Sequence, residues 1–259
     1  MKYFFIFIIL LLLVSCKKEN ISSPSEDNVN DNYPTTINKP DVGTNFEINY
    51  YDPVLETYIR ANVDSFGFIG HLVGLLQRGN SSITNQSQAI GLAKIALLSL
   101  SDRTCVFDTS LIEVQYATNH NSSPLPISDW QIYFESQKCN GLEVWKSNIF
   151  VLVSDDLIQI DGHWYKDIFV PSQGLISKEQ AKEILAGTEI ESWCWYYHTF
   201  IVADSTINID LMTQCIYPLM KSDSIELRVV WKIPINYTGY YFIDALTGEK
   251  IAYIETSEC

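Results

Sequence analysis

The C-terminal third of the chain is patterned as antiparallel sheet. One stretch runs from Leu227 to Ile235 (LRVVWKIPI), and the next runs from Tyr240 to Tyr253 (YYFIDALTGEKIAY). β-Branched and aromatic residues favour strands, and the Asp-Ala-Leu-Thr-Gly segment inside the second stretch favours a tight turn. Upstream, Ser177-Lys-Glu-Gln180 is the signature of a capping box that opens a helix to about Ala186. We therefore expect a short capped helix followed by turn-linked strands.

The middle of the chain repeats this order of helix and then strands. Residues 86–100 carry apolar side chains at helical spacing, which predicts a buried amphipathic helix. A period of two follows, with strands predicted near Leu111–Ala117, Trp130–Glu135, Glu143–Val153 and Leu157–Ile160 and a turn at Asp161-Gly162. The predicted fold class is α+β, with tandem units of a short helix packed on a curled antiparallel sheet.

A helical segment is predicted ahead of these units. Asp52-Pro53 combines an N-cap residue with a first-turn proline. The apolar run from Phe66 to Leu76 is interpreted as a bent core helix, and His71 within it as a hydrogen-bonded core histidine. Residues 45–172 are thus assigned to a helical segment plus the first α+β unit, and residues 173–259 to the second unit.

The N-terminus predicts export and lipidation. Lys2 precedes an apolar run from Tyr3 to Val14 that is too short for a membrane span. The run ends in Leu-Val-Ser-Cys16, which resembles a bacterial lipobox. We expect residues 1–15 to be a removed signal peptide and Cys16 to carry the lipid that anchors the protein to a membrane. Lys17 after the cysteine favours the outer membrane of the cell envelope, with the periplasmic and surface faces both open.

The next residues are predicted to be a disordered tether, which with Cys16 spans residues 16–44. This segment is rich in Ser, Asn, Asp and Pro and holds one aromatic residue, Tyr33. Such a composition buries too little apolar surface to offset the entropy of ordering the chain. The whole chain carries a formal charge of −14. That charge excludes nucleic acid as a partner, because the phosphate contribution to binding would be repulsive.

Five cysteines remain beside Cys16, and outside the cytoplasm disulfides are the expected state. A two-residue hairpin at Asp204-Ser205 would place Cys194 opposite Cys215, at the short Cβ separation that a cross-strand disulfide requires. Cys105 and Cys139 form the second predicted pair, which leaves Cys259 over. No spacing of Cys or His predicts zinc, and we expect no metal or other cofactor.

The C-terminal strands, the Asp-Ala-Leu-Thr-Gly turn and the capped helix together resemble the PepSY domain, a small secreted module. The preceding stretch from Gly141 to Gly162 resembles the fungalysin/thermolysin propeptide (FTP) motif, which precedes PepSY in the prosegments of thermolysin-like proteases. The resemblance covers roughly residues 80–257 and implies a module that binds or modulates a protease. The chain has no His-Glu-x-x-His motif, so the zinc ligands and general base of that enzyme class are missing. A free-standing lipoprotein without a protease body is expected.

No catalytic residue is predicted. Asp155 and Asp156 are adjacent in a strand–turn pattern, which favours hairpin chemistry over a shared proton. His163, with Trp164 and Tyr165, lies after the Asp161-Gly162 turn and is the candidate ligand surface, although a solvated turn is the stronger interpretation.

Two functions remain open. The first is a non-catalytic lipoprotein that binds a peptide or protein, such as a protease, through a sheet face or edge. The alternative is a glycan-binding protein or hydrolase that uses an aromatic surface including Trp193, Trp195, Tyr196 and Tyr197.

Overall fold

The computed structural model describes residues 32–40, 46–75, 83–119, 129–193, 197–235 and 239–256. This described part is mostly antiparallel sheet with few helices, which is an α+β fold. The helices are α1 (Gln86–Ser99), α2 (Ser101–Thr104) and α3 (Lys178–Leu185). The strands are β1 (Thr35–Asn38), β2 (Phe46–Asp52), β3 (Thr57–Val63), β4 (Ile69–Leu75), β5 (Val114–Asn119), β6 (Trp130–Phe134), β7 (Lys138–Cys139), β8 (Leu142–Glu143), β9 (Ile149–Val153), β10 (Leu157–Asp161), β11 (Glu189–Ser192), β12 (His198–Ile201), β13 (Thr213–Met220), β14 (Ser224–Ile235), β15 (Gly239–Asp244) and β16 (Lys250–Glu255). Within these ranges, no helix is long and apolar enough to cross a membrane.

Seven of the described strands form one sheet, here called the N-terminal sheet, in the order β2-β3-β4-β10-β9-β6-β5. Four more form the row β1-β14-β15-β16 of the C-terminal sheet, and β13 pairs with the other edge of β14. Two short hairpins, β7-β8 and β11-β12, complete the described sheet structure.

The helical segment predicted around residues 52–76 is wrong, because this region forms the strands β2, β3 and β4. Asp52 does cap a turn, since its Oδ1 accepts hydrogen bonds from the backbone N–H groups of Val54 and Leu55. The chain after that turn is a strand whose residues alternate strictly between buried and exposed. The Asp52-Pro53 pair therefore begins a turn between two strands and not a helix. The residues after the turn, Thr57–Val63, are buried at every second position, which is the period of a strand.

The bent core helix predicted from Phe66 to Leu76 is also wrong, because Ile69–Leu75 form the strand β4; Leu76 lies outside the described residues. Its Gly74 lies between β3 and β10, where a Cβ atom would stand 3.1 Å from Cγ2 of Ile158. Glycine at this position thus leaves room for the Ile158 side chain of β10. Tertiary packing overrides the local pattern in this segment.

Helix α1 confirms the helix predicted over residues 86–100. Asn85 is its N-cap, and the Asn85 side chain accepts a hydrogen bond from the Gln88 N–H. The buried face consists mainly of alanine and leucine: Ala89, Leu92, Ala93, Ala96 and Leu97. The small alanines let the helix approach β5, β6 and β9 of the N-terminal sheet closely.

Gly91 gives a test of the helix assignment. It lies in the interior of α1, is exposed, and has no atom within 4 Å of the position that a Cβ would take. We expect Gly91→Ala to raise the free energy of unfolding by about 0.5–1 kcal/mol, because alanine loses less backbone entropy in a helix. Urea denaturation of the variant beside wild type measures this change. A loss of stability would contradict the placement of Gly91 in an exposed helix interior.

The capping box at α3 is confirmed. The Ser177 side chain accepts a hydrogen bond from the Gln180 backbone, and the Gln180 side chain accepts one from the Ser177 backbone. Ala181 and Leu185 of this helix pack with Ile233, Ile235 and Ile243 of the C-terminal sheet in one apolar cluster. The side of α3 that carries Ala181 and Leu185 is thereby fixed against the sheet.

The Asp-Ala-Leu-Thr-Gly turn between β15 and β16 is organised by Asp244, whose side chain is fully buried. Its Oδ1 accepts hydrogen bonds from the backbone N–H groups of Leu246 and Thr247, each at 2.8 Å. Its Oδ2 accepts from the Arg228 guanidinium at 3.1 Å and from the Tyr33 hydroxyl at 2.9 Å. The same guanidinium also pairs with Glu226 and Glu249. One carboxylate thus joins the turn, β14 and the N-terminal segment.

Part of the predicted tether is ordered, because β1 pairs antiparallel with β14 from Thr35↔Leu227 to Asn38↔Ser224. Besides its bond to Asp244, the Tyr33 hydroxyl donates to the Val229 carbonyl at 3.2 Å. The Thr35 hydroxyl accepts from the Phe169 N–H at 2.7 Å. The assignment of residues 16–44 to a disordered tether is therefore wrong for residues 35–38, whose backbone pairs with a distant strand that composition does not reveal.

The two large sheets share a continuous core within residues 32–259. One apolar cluster includes Ile132 and Val151 of the N-terminal sheet together with Ile225 and Leu227 of the C-terminal sheet. The backbone also links them, since the Trp145 N–H donates to the Ile216 carbonyl at 2.8 Å. Beside this link, the Lys232 ammonium lies over the Trp145 ring at 4.0 Å and over the Tyr240 ring at 4.2 Å. The cation–π contact between Lys232 and Trp145 thus stabilises the loop after β8 against the C-terminal sheet.

Candidate functional site

The N-terminal sheet has one face covered by α1 and an opposite face, here called the outer face, that carries half-buried and exposed side chains. One row of directly opposed residues crosses six of its strands: Asn62, His71, Asp161, Phe150, Tyr133 and Tyr116. These residues share a face because side chains alternate along each strand and directly opposed residues point the same way. The row is polar at one end and aromatic at the other.

Three rings form the aromatic end of the outer face. Tyr116 stacks on Tyr133 with ring centroids 4.3 Å apart, and Tyr133 contacts Phe150 at 4.7 Å. Tyr116 is 46% exposed, while Tyr133 and Phe150 are half-buried, so the ladder is partly open to solvent. Aromatic side chains of this kind offer large contact area at little cost in conformational entropy. The ladder suits contact with an apolar or peptide surface.

The polar end centres on His71 and Asp161. His71 Nδ1 lies 2.6 Å from Asp161 Oδ1, and the Gln159 amide donates to the other carboxylate oxygen at 2.6 Å. The His71 side chain is 44% exposed. The interpretation of His71 as a core histidine is therefore wrong, because β4 turns this side chain to the outer face. The hydrogen bond to Asp161 fixes the ring orientation.

A depression of about 550 Å³ adjoins this polar end. Its walls come from β2, β3 and β4 and include Tyr58, Arg60, His71 and Leu75. Tyr58 is 69% exposed and Leu75 is 66% exposed. The outer face thus combines exposed apolar side chains, hydrogen-bonding groups and a ring ladder.

The predicted ligand surface at His163, Trp164 and Tyr165 is not a solvated turn. Trp164 is only 7% exposed, while His163 and Tyr165 are half-buried. The His163 ring stacks on Phe68 with centroids 4.2 Å apart, and Tyr165 meets it edge-on at 5.1 Å. Trp164 and Tyr165 line a second cavity, but His163 does not.

His163 predicts a pH dependence of stability. Burial lowers the pKa of His163 below its ordinary value, and the nearby Asp64 carboxylate and the Ile69 carbonyl only partly oppose this. Between the lowered folded pKa and the ordinary unfolded pKa, the unfolded chain binds more protons. We therefore expect His163 to contribute stability above the unfolded pKa, and this contribution to be lost as the pH falls towards the folded pKa.

The check is to measure unfolding by urea at about pH 8 and about pH 5 for wild type and for His163→Phe. Phenylalanine keeps the stack on Phe68 and removes the titrating group. The drop in stability on acidification should be smaller in the variant than in wild type. An equal drop in both proteins would show that His163 does not carry the effect.

The strand pairing that supported a Cys194–Cys215 disulfide is wrong. β12 pairs with β11, residues 204–206 form a 3-10 turn, and β13 pairs with β14, so that Cys215 lies opposite Val230. Cys215 is a buried free thiol, and burial raises its pKa to about 12. Cys194 lies outside the described residues, as do Cys16 and Cys259.

The second predicted pair, Cys105 with Cys139, is not joined in this structure. Both residues are free thiols, Cys105 buried and Cys139 half-buried, and burial raises the pKa of each. The Cys139 thiol lies 3.7 Å from the Ile168 carbonyl oxygen. Neither thiol has the lowered pKa that a reactive cysteine requires.

The aromatic surface of the alternative function falls partly outside the described residues, which do not include Trp195 and Tyr196. Trp193 is 72% exposed and contacts Tyr197 with ring centroids 4.8 Å apart. The carboxylates of Asp155 and Asp156 serve the β9–β10 turn and its surroundings: Asp155 accepts from the Ile83 N–H, and Asp156 accepts from the Ser154 hydroxyl. Among the described residues, no three His, Cys, Asp or Glu side chains are placed to hold a metal ion.

No protein-family profile matches this chain, and no curated protein sequence does. Among solved structures, the chain is similar to the Bacillus megaterium YpeB C-terminal domain at 14% identity, over 90% of this chain and 98% of that one. The TM-score of this alignment is 0.31. At that value the two folds are not shown to be the same.

Proposed function

We propose that this protein is a non-catalytic binding module of the bacterial cell envelope, anchored through a lipid on Cys16, which binds a protein or peptide on the outer face. The observation that carries the proposal is the aromatic ladder Tyr116–Tyr133–Phe150, which continues into the polar end at Asp161 and His71. An exposed ladder of rings next to directed polar groups gives both contact area and orientation to a partner.

The finer proposal is that the two halves are related helix-on-sheet units, FTP-like and PepSY-like, and that the partner is an extracytoplasmic protease. Its support is the motif order in the sequence, together with α1 on the N-terminal sheet and α3 on the C-terminal sheet. A prosegment-like module of this kind would modulate the protease that it binds. The proposed location of the protein is the outer membrane.

The experiment compares partner capture by wild type and by two lysine variants. Immobilised protein is incubated with a detergent-solubilised envelope fraction, and bound polypeptides are identified by mass spectrometry. Phe150→Lys places a charge in the ring ladder. Leu211→Lys is the control for the same change of apolar side chain to lysine, because Leu211 is exposed (58%) and lies before β13, outside the N-terminal sheet. Thermal unfolding verifies that Phe150→Lys is folded, since Phe150 is half-buried.

We expect one defined polypeptide to bind wild type and Leu211→Lys, and to be lost from Phe150→Lys. Its affinity for the three proteins is then measured with the purified partner, with a loss of about tenfold or more expected for Phe150→Lys. Recovery of nothing above background would count against a polypeptide partner. Equal affinity in all three proteins would remove the outer face as the binding surface.

A further inference from the structure

A second cavity, here called the side cavity, has lining residues distinct from those of the depression on the outer face. Its volume is about 520 Å³, within the range of small-ligand sites. The walls come from the segment after α2, the 3-10 turn at Thr109–Leu111, the end of β6 and the loop after β10. No residue that lines it lines the depression on the outer face. The two sites can therefore be tested independently.

Two large apolar side chains stand in the cavity lining with much of their surface in water. Phe107 is 60% exposed and Leu111 is 69% exposed, and both line the side cavity. Covering apolar surface stabilises a complex by roughly 25 cal/mol for each Å² removed from water. An apolar group that enters the cavity would gain this contribution from both residues.

Trp164 has a buried indole N–H that lacks a hydrogen-bond partner. It lines the side cavity at 7% exposure, and its indole N–H has no acceptor among the described residues. A buried donor left unsatisfied costs about 1–3 kcal/mol. Because this N–H exposes almost no surface, Trp164 offers the cavity mainly its ring.

The charges of the lining are unbalanced. Four carboxylates (Asp108, Glu113, Glu135 and Asp167) face two ammonium groups (Lys138 and Lys166). Lys138 is already engaged, since its ammonium lies 2.8 Å from Glu135 and 3.6 Å from Glu113, and these carboxylates raise its pKa. The net negative lining therefore attracts a cation and repels an anion.

We propose that the side cavity binds an apolar organic cation. In this assignment Phe107 and Leu111 contact the apolar part, and the carboxylates attract the positive charge. The rings of Phe107, Trp164 and Tyr165 add cation–π attraction for an ammonium or guanidinium group. This chemistry occurs in a free amino-acid amide and in a basic peptide segment next to an aromatic residue.

Matched probes separate the parts of this proposal. Phenylalaninamide has the ring, the carbonyl and a positive charge. N-Acetylphenylalaninamide lacks the charge, and N-acetylphenylalanine is an anion of similar size. N-Acetyl-phenylalanyl-arginine amide presents the cation as a side chain of a peptide. Calorimetric titration of the purified protein, with tryptophan fluorescence as a second readout, gives the four affinities at low and high salt.

We expect both cationic probes to bind at least about tenfold more tightly than the neutral probe, with the anion weakest and with the preference reduced by salt. Tighter binding of the arginine peptide than of phenylalaninamide would identify a peptide segment as the source, and the reverse order a free amine. Equal affinity of cation and anion overturns the proposal. So does the absence of measurable binding of either cation up to about 10 mM.

Variants locate the binding. Phe107→Ala and Asp167→Asn should each weaken the cationic probes by about threefold to tenfold, while Leu211→Ala and Asp210→Asn are matched controls outside the cavity. Asn suits position 167, because the backbone there has a positive φ of 56°. Thermal unfolding verifies that every variant is folded. If neither Phe107→Ala nor Asp167→Asn changes the affinity for the cationic probes, the probes do not bind in the side cavity and the proposal is wrong.

Phe150→Lys should leave probe binding unchanged, because it lies on the outer face. If the side cavity binds no cation, the proposal of a polypeptide partner on the outer face still stands. If the outer face binds no polypeptide, the proposal of a cation site in the side cavity still stands.

Discussion

Replacing Asp244 with alanine is expected to lower the free energy of unfolding by about 3–5 kcal/mol, the cost of breaking a buried charge pair from one side. The substitution removes four hydrogen-bond acceptor contacts at once, two to turn N–H groups, one to Arg228 and one to Tyr33. It leaves the guanidinium, itself largely buried, without its most buried carboxylate. The turn, β14 and the segment that carries Tyr33 would each lose a hydrogen bond to the same carboxylate.

Urea denaturation measures the loss, and Glu249→Gln is the matched control. Glu249 pairs with the same Arg228 but is 56% exposed, so its neutralisation should cost less than about 1 kcal/mol. Asp244→Asn should fall between the two, because an amide keeps one acceptor oxygen for the turn. A cost for Asp244→Ala no greater than that for Glu249→Gln would show that burial of Asp244 does not set the stability of this corner.

Gly162→Ala is the second substitution with a large expected effect. Gly162 has a φ of +94°, which side chains rarely adopt, and a Cβ there would stand 2.5 Å from the Asn148 backbone carbonyl oxygen. Backbone strain and a steric clash with a rigid group therefore act together. We expect a loss of about 3 kcal/mol or more in the free energy of unfolding.

Gly141→Ala separates the two causes. Gly141 also has a positive φ, +81°, but nothing lies within 4 Å of its Cβ position. Its substitution should cost about 1–2 kcal/mol from the backbone conformation alone. The difference between the two variants then measures the close approach of Asn148 to Gly162. If both variants lose the same stability, the close approach contributes nothing.

Local signals in the sequence predicted what is local in the structure. The capping box at Ser177 and Gln180, the helix over residues 86–100, and the turn after Asp244 each depend on residues a few positions apart. Hydrogen bonds at a cap or turn are made within that distance, so the residue types alone specify them. These elements were predictable for that reason.

Strand pairing was not predictable in the same way. The hairpin expected around Asp204-Ser205 does not form, because β13 pairs with the longer β14 and β12 pairs with β11. The Asp-Pro signal at residue 52 is compatible with a turn and with a helix start, and only packing of the alternating residues of β3 decides between them. Register and partner choice depend on the buried face, which a single segment does not reveal.

The outer face was missed for a related reason. His71 and Asp161 are 90 residues apart in sequence, and each looks ordinary in its own segment. One signal was present: His71, Val73 and Leu75 alternate with Gly70, Leu72 and Gly74, which is a strand pattern with two different faces. Read as a strand, the segment places His71 away from Leu72 and thus outside the core.

The pairing of β1 with β14 imposes an order on folding. Tyr33 and its acceptor Val229 are separated by 196 positions, so a chain that emerges from its N-terminus carries β1 long before its partner strand exists. Contacts of such high sequence separation form late, because the intervening chain must first be ordered. Until then Thr35–Asn38 is an unpaired strand that is open to other chains. Protection of its backbone amides from hydrogen exchange would therefore report that β14 has been synthesised and has paired with β1.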